Sequence, residues 1–264
     1  MILRHGQSSG NVARDHAVAN GLGVIDLTTR DMDVPLSELG VRQTRAVGRW
    51  LGEIPEPKSP TVILASPYQR ARQTAIIARE SARLSHVPII YDERLREREF
   101  GVLENLTLRG LRHRFPDQAQ FRSFLGKFYH RPPGGESWCD VILRLRNAWD
   151  SIGQEYANER VLVVCHSVVV LCFRYFLEHL TEEQILEIDR ENEVANCSVT
   201  FYEFDPAMGM RGDMALRLFN FVAPIEAAGE RVTRRKDVVF GGPDDTAGGG
   251  AEDFGPGNTL RVSR

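Results

Sequence analysis

The sequence predicts an α/β fold, a mostly parallel sheet covered by helices with an antiparallel hairpin near its C-terminal end. Three observations predict it. Short β-branched runs alternate with helical patterns along the chain, the signature of strand-helix-strand units. Hydrophobic residues make up 42% and charged residues 26% of the 264 residues, ordinary globular usage that excludes a disordered, collagen-like or disulfide-scaffold chain. Two late strand patterns flank Asp205 to Asp213, where Gly209 and Gly212 favour a tight antiparallel connection.

Ile2 and Leu3 begin a first strand that stops at Arg4-His5-Gly6. Residues 37–53 read as a helix that Ser37 can cap, with Leu39, Gln43, Ala46, Val47, Trp50 and Leu51 forming a mostly apolar stripe. Thr61 to Ala65 is a buried strand, Arg70 to Leu84 a helix with Ala71, Ala75, Ala78 and Ala82 on one face, and Pro88 to Tyr91 a third short strand. Residues 93–133 loosen into polar turns and short helical pieces rich in Arg and Phe, and read as a cap-like insertion. Ser137 begins the clearest helix, with Val141, Leu145, Ala148 and Ile152 at helical spacing. Val161 to Cys165 is another buried strand, ended by His166; a helix to about His179 and an acidic helix over 182–190 lead to the hairpin strands Ser198 to Phe204 and Met214 to Phe221. After Pro224 the composition shifts to Gly-rich sequence without sustained apolar pattern, so the chain divides into a folded domain over 1–224 and a flexible tail over 225–264.

Basic and acidic residues number 33 and 36, a net charge of −3, which leaves no global basic field to hold nucleic acid or an anionic membrane. Of the 33 basic residues only Lys58, Lys127 and Lys236 are not arginine, a bias that fits phosphate handling and a GC-rich genome alike. Cys139, Cys165, Cys172 and Cys197 form no CxxC pair and read as buried thiols in a reducing compartment, with no metal site. With no leader pattern and no long apolar run, the sequence reads as cytoplasmic. It carries no signal for oligomeric state.

Open α/β sheets bind ligands outside the carboxyl ends of their strands, and here three such ends are polar. Arg4 and His5 follow the first, Ser66-Pro67 leading to Arg70 the second, and His166 the fourth. Two His and two Arg at one sheet edge, without acidic metal ligands beside them, suit a phosphoryl group.

At these residues the chain resembles the histidine phosphatase superfamily, the phosphoglycerate mutase-like fold. Arg4-His5-Gly6-Gln7-Ser8 with Asn11 carries the resemblance first, then Pro35 to Gly40, Ser66-Pro67 with Arg70 to Ala75, Leu95-Arg96-Glu97 with Phe100-Gly101, Gly134 to Ser137, and Val163 to His166. The resemblance spans about residues 1–204. It implies a three-layer sandwich with helices on both faces of the sheet and a metal-independent reaction without a cofactor. His5 would be the nucleophile, giving a phosphohistidine; Arg4, Arg70 and a protonated His166 would stabilise the phosphoryl oxygens; Glu97 would be general acid and then base. Ser8 and Asn11 are expected as further phosphate or loop donors. Ser167 stands where many relatives have Gly, and its hydroxyl could donate once more.

Two departures from the pattern stand out. The long stretch between Asn11 and Pro35, carrying His16, Asp26, Arg30, Asp31 and Asp33, either lids the pocket or runs as a solvated excursion. Only three residues precede Arg4, short for a central strand, which raises the expectation of a natural start further upstream or a truncated strand. The segment from Glu97 to Gly134 looks shorter than the substrate-enclosing insertion of cofactor-dependent mutases, and Arg112 and Arg114 are split by His113 where those enzymes have adjacent arginines. A phosphatase acting on a small phosphorylated metabolite is therefore expected, with a cofactor-dependent phosphoglycerate mutase and an inactive phosphate-binding scaffold as alternatives.

Overall fold

The structure is a computed structural model that describes residues 1–210 and 212–234. Its elements in chain order are β1 (Ile2–Arg4), α1 (Ser9–Ala19), α2 (Glu38–Glu53), β2 (Val62–Ala65), α3 (Gln69–Ser81), β3 (Ile89–Tyr91), α4 (Leu108–Arg114), α5 (Pro116–Tyr129), α6 (Trp138–Glu155), β4 (Val161–Cys165), α7 (Ser167–Leu177), α8 (Glu182–Glu191), β5 (Val199–Asp205), β6 (Asp213–Phe221) and α9 (Ala223–Ala227). Six strands form one sheet in the order β3-β2-β4-β1-β5-β6. The first four in that order run parallel, while β5 pairs antiparallel with both β1 and β6.

Strand side chains alternate between faces, so a sheet buried on both sides should send successive residues into two different cores. Ile2, Val62, Leu64, Val163 and Cys165 pack into one, with Val141, Leu145, Val169 and Phe173 of α6 and α7. Leu3, Ile63, Ala65, Leu162 and Val164 pack into the other, with Val47 and Leu51 of α2 and Ala71, Ala75 and Ala78 of α3. This is the expected three-layer sandwich. Each buried Val, Leu or Ile contributes about 1.5–3 kcal/mol by leaving water, so the two layers stabilise the short central strand β1 from both sides.

Ser37 and Ser137 cap α2 and α6 through their hydroxyls, as the sequence predicts. The insertion over 93–133 is helical, built from α4, α5 and two short 3₁₀ turns, and α5 breaks at Gly126, whose φ is +75°. Cys165, Cys172 and Cys197 are buried thiols, and burial pushes the Cys197 thiol up to about 12.

Two expectations need correction. The stretch after Asn11 is not loop throughout: α1 occupies its first part, with Ser8 and Asn11 forming a reciprocal capping box at the helix start. The domain also does not end at 224. Ile225 is fully buried in the α2/α3 layer, Asn196 donates its backbone N–H to Thr233, and Arg234 bridges to Ala195. Counting composition over the whole C-terminal stretch hid this, because its glycines concentrate beyond Arg234. The rest of the predicted tail, 235–264, lies outside the described residues.

Candidate active site

Strand register builds the site. Arg4 lies opposite Cys165 and Ala65 opposite Val164, so His5, His166 and Ser66 leave three adjacent strands side by side. His5 N–H donates to Cys165 O at 2.9 Å and Ser66 N–H to Val164 O at 3.0 Å, carrying the sheet pattern one residue past each strand. The His5 and His166 rings meet edge to face with centroids 5.1 Å apart, and Tyr68 flanks His166 at 5.3 Å.

The tautomer of His5 follows from its partner. Nδ1 lies 2.7 Å from the carbonyl oxygen of Gly6, which can only accept, so Nδ1 carries the hydrogen and Nε2 presents a lone pair. The loop that follows is fixed by neighbouring elements. Gly6 N–H donates to Thr74 Oγ1 at 3.1 Å, Gln7 N–H to Gln43 Oε1 at 3.0 Å, and the Asn196 side-chain amide to His5 O at 3.2 Å. A Cβ at Gly40 would stand 2.0 Å from Gln7 O, so only glycine lets α2 approach this closely.

His166 Nε2 is 2.8 Å from Ser66 Oγ, and its Nδ1 is 3.9 Å from Glu97 Oε2. Glu97 is 2% exposed, and its Oε1 accepts the Arg98 backbone N–H at 2.8 Å. The neighbouring arginines are engaged elsewhere: Arg94 with Asp92, Arg96 with Glu136, and Arg98 through Nε and Nη2 with the carbonyls of Glu136 and His130. Glu136 accepts from Arg144, Arg96 and the Glu99 backbone; burial alone would raise its carboxyl, and these partners hold it below the ordinary carboxylate range. Arg4, fully buried, donates to the carbonyl of Val194.

Arg70, in the first turn of α3, carries an acidic partner. Its Nη1 and Nη2 donate to Asp31 Oδ1 and Oδ2, both at 3.0 Å, and Nη1 also to Asp31 O at 2.7 Å. A cavity of about 50 Å³ lies beside this pair, lined by Ser8, Asn11, Arg14, Ile25, Leu27, Asp31, Arg70, Glu97, Arg98, Glu99, Phe100 and Glu104 among others. His5, His166 and Arg4 are each 0% exposed and are absent from that lining. Of the expected substrate-binding residues, Ser8 and Asn11 line the cavity while capping α1; Ser167 is buried in the first turn of α7, outside the lining. Arg109 donates to Gly21 O, and neither it, Arg112 nor Arg114 reaches the cavity. Among the described residues no cluster of three His, Cys, Asp or Glu is placed to hold a metal ion.

Ser66, Thr74, Asn196 and Asp31 are the contributors that sequence reasoning left without a role. Ser66 and Thr74 fall inside quoted motifs. Asn196 had a topological signal: the start of an antiparallel strand lies at the same sheet edge as the ends of parallel ones.

Comparison with known proteins identifies the family. A family model described as the histidine phosphatase superfamily (branch 1) matches residues 1–210. A curated relative, the 2,3-bisphosphoglycerate-dependent phosphoglycerate mutase 2 of Gloeobacter violaceus, is 31% identical over 193 residues, covering 72% of this chain and 80% of its own. The mycobacterial glucosyl-3-phosphoglycerate phosphatase solved with VO3 is 25% identical with a TM-score of 0.62, covering 83% of this chain and 97% of that one. YhfR of Bacillus stearothermophilus is 28% identical with a TM-score of 0.63, covering 81% and 94%. By sequence match, sheet topology and the paired histidines at the strand ends, the chain belongs to the histidine phosphatase superfamily, branch 1.

Proposed function

We propose that the protein is a phosphatase that hydrolyses a phosphomonoester through a phosphohistidine on His5. The Gly6 carbonyl fixes the proton on Nδ1, which leaves Nε2 to attack phosphorus. As the N–P bond forms, the P–O bond to the leaving group breaks, and Glu97, protonated beforehand, gives the departing oxygen its proton. The same carboxylate then takes a proton from water as the water oxygen attacks the phosphohistidine, releasing inorganic phosphate and restoring His5. Arg4, Arg70 and His166 supply fixed positive charge to the non-bridging oxygens, an effect worth about 2.7–4 kcal/mol for one well-placed donor. Cationic side chains fill the role, so the reading calls on no metal.

The rim of the cavity supports hydrolysis over phosphoryl return to a sugar acid. Such an acid brings a carboxylate beside its phosphate and needs a second cationic subsite. The lining offers four carboxylates, Asp31, Glu97, Glu99 and Glu104, against Arg14, Arg70 and Arg98, and two donor groups of Arg98 are already committed to carbonyls. That balance suits a leaving group without a second anion. The names of the curated relatives favour the mutase as the second reading.

Hydrolysis of p-nitrophenyl phosphate in the presence of EDTA tests the proposal. Turnover should persist with chelator and fall by on the order of 10⁴-fold or more in His5→Ala; equal rates for the two proteins would overturn it. Rapid conversion of 3-phosphoglycerate to 2-phosphoglycerate on addition of 2,3-bisphosphoglycerate would establish the mutase instead.

A further inference from the structure

Arg70, assigned above to the phosphoryl oxygens, already holds an anion. The Asp31 carboxylate meets the guanidinium fork with two parallel bonds of 3.0 Å, the geometry by which arginine receives a phosphoryl group, and the Asp31 carbonyl adds a third contact at 2.7 Å. Arg70 is nearly inaccessible, whereas Asp31 is partly exposed on the segment that joins α1 to α2. The donor is buried and its partner is the solvent-facing side of the pair.

That segment is tied to the opposite rim as well. Glu104 accepts the Asp31 backbone N–H, Ile25 N–H donates to Asn105 O at 2.8 Å, Thr107 Oγ1 donates to Leu22 O at 2.7 Å, and Val24 bridges to Leu106. Asp31 thus links the phosphoryl clamp to the rim, and the cavity it borders holds about 50 Å³, against ~300 Å³ or more in sites that take small metabolites. His5 is itself fully buried.

We propose that Asp31 is an internal competitor for the phosphoryl site, a carboxylate latch on Arg70 that an incoming phosphoryl group must displace and whose release opens the pocket. The proposal rests on the assignment of Arg70 to phosphoryl binding. Displacement costs every ligand that needs Arg70 the same factor, because apparent affinity is the intrinsic affinity multiplied by the fraction of molecules with the latch open. A residue that touched the leaving group would instead act on each substrate differently.

The test compares wild type with Asp31→Asn, which keeps the shape and removes the charge, and with Asp31→Ala. Inorganic phosphate binding is measured by calorimetry, and KM for p-nitrophenyl phosphate and inhibition by vanadate by steady-state kinetics. All three constants should fall by one common factor of about threefold or more in both variants. On an Arg70→Ala background Asp31→Asn should bring no gain. Unchanged or weakened phosphate binding in both variants, or factors that differ among the three ligands, would overturn the latch. The calorimetric arm needs no turnover, so an enzyme without phosphatase activity but with tighter phosphate binding in Asp31→Asn would sink the proposed function and leave the latch standing.

Discussion

Arg4 and Arg70 both sit at the carboxyl edge of the sheet and are both closed to solvent, and a described partner of each differs in kind. Arg4 donates to the backbone carbonyl of Val194, a neutral group that cannot leave without moving the connection over residues 192–198. Arg70 is held by the carboxylate of a rim residue, an anion that another anion can replace. The same division runs through the whole site. The inner wall, made of His5, Arg4, His166, Ser66, Thr74 and Asn196, is built on strand register and buried hydrogen bonds from backbone and side chains. The rim, made of residues 20–34 and 97–107, is fixed by short turns, by backbone pairs between residues 23–25 and 105–107, and by side chains such as Asp31 and Thr107. Under the proposed function, the first carries the chemistry and the second controls access.

Among the residues that support the inner wall from behind, Ser66→Ala should have the largest effect. It removes the 2.8 Å partner of His166 Nε2, so kcat should fall by about 10- to 100-fold while KM stays close to wild type, the cost of one hydrogen bond to a group that is charged in the transition state. A matched rise in KM would mean that the hydroxyl acts on access and would blur the division.

Thr233→Val should follow. Thr233 links Asn196 Oδ1 to Gln43 Nε2, and these two side chains hold the backbone of His5 and Gln7 from behind. Leaving their buried amides with fewer partners should cost about 1–3 kcal/mol in denaturant unfolding and lower kcat with it. An unchanged protein would show that residues 225–234 decorate the domain instead of supporting it.

The smallest effect is expected at the outer edge. Burial, with Arg122 and Arg98 close by, lowers the His130 imidazole to about 4. A folded value below the unfolded one of about 6.5 means that protons bind the unfolded chain preferentially, so this contribution is intact above pH 6.5 and is lost as the pH falls toward 4. His130→Gln should flatten the fall of melting temperature over that window and leave turnover at neutral pH nearly untouched. A slope identical to wild type would remove His130 from the acid sensitivity.

This division also explains what could be read from the chain. Residues that end parallel strands must converge, so Arg4, His5, Ser66 and His166 were legible once the apolar runs were placed. Asp31 was visible only as one charge in a stretch with no hydrophobic period, because its partner lies 39 residues away and its position depends on ties to Asn105, Leu106 and Thr107. Helix α1 escaped for a related reason. Only Asn11 and Ala17 of it are buried, too few to write an apolar stripe, although Ser8 and Asn11 at the spacing of a capping box were a readable start signal.

The central claim is a covalent bond between phosphorus and His5 Nε2, and Glu97→Gln makes it measurable. Expulsion of p-nitrophenolate needs little help from an acid, whereas hydrolysis of the intermediate needs the Glu97 base, so the variant should accumulate phosphoenzyme. Intact-protein mass spectrometry after mixing Glu97→Gln with p-nitrophenyl phosphate should show one added phosphoryl group per chain, labile to acid and stable to base, mapped to His5 and absent when His5 is also changed to Ala. No added mass in Glu97→Gln alongside a steady release of p-nitrophenol, or a phosphoryl group on any other residue, would contradict the mechanism.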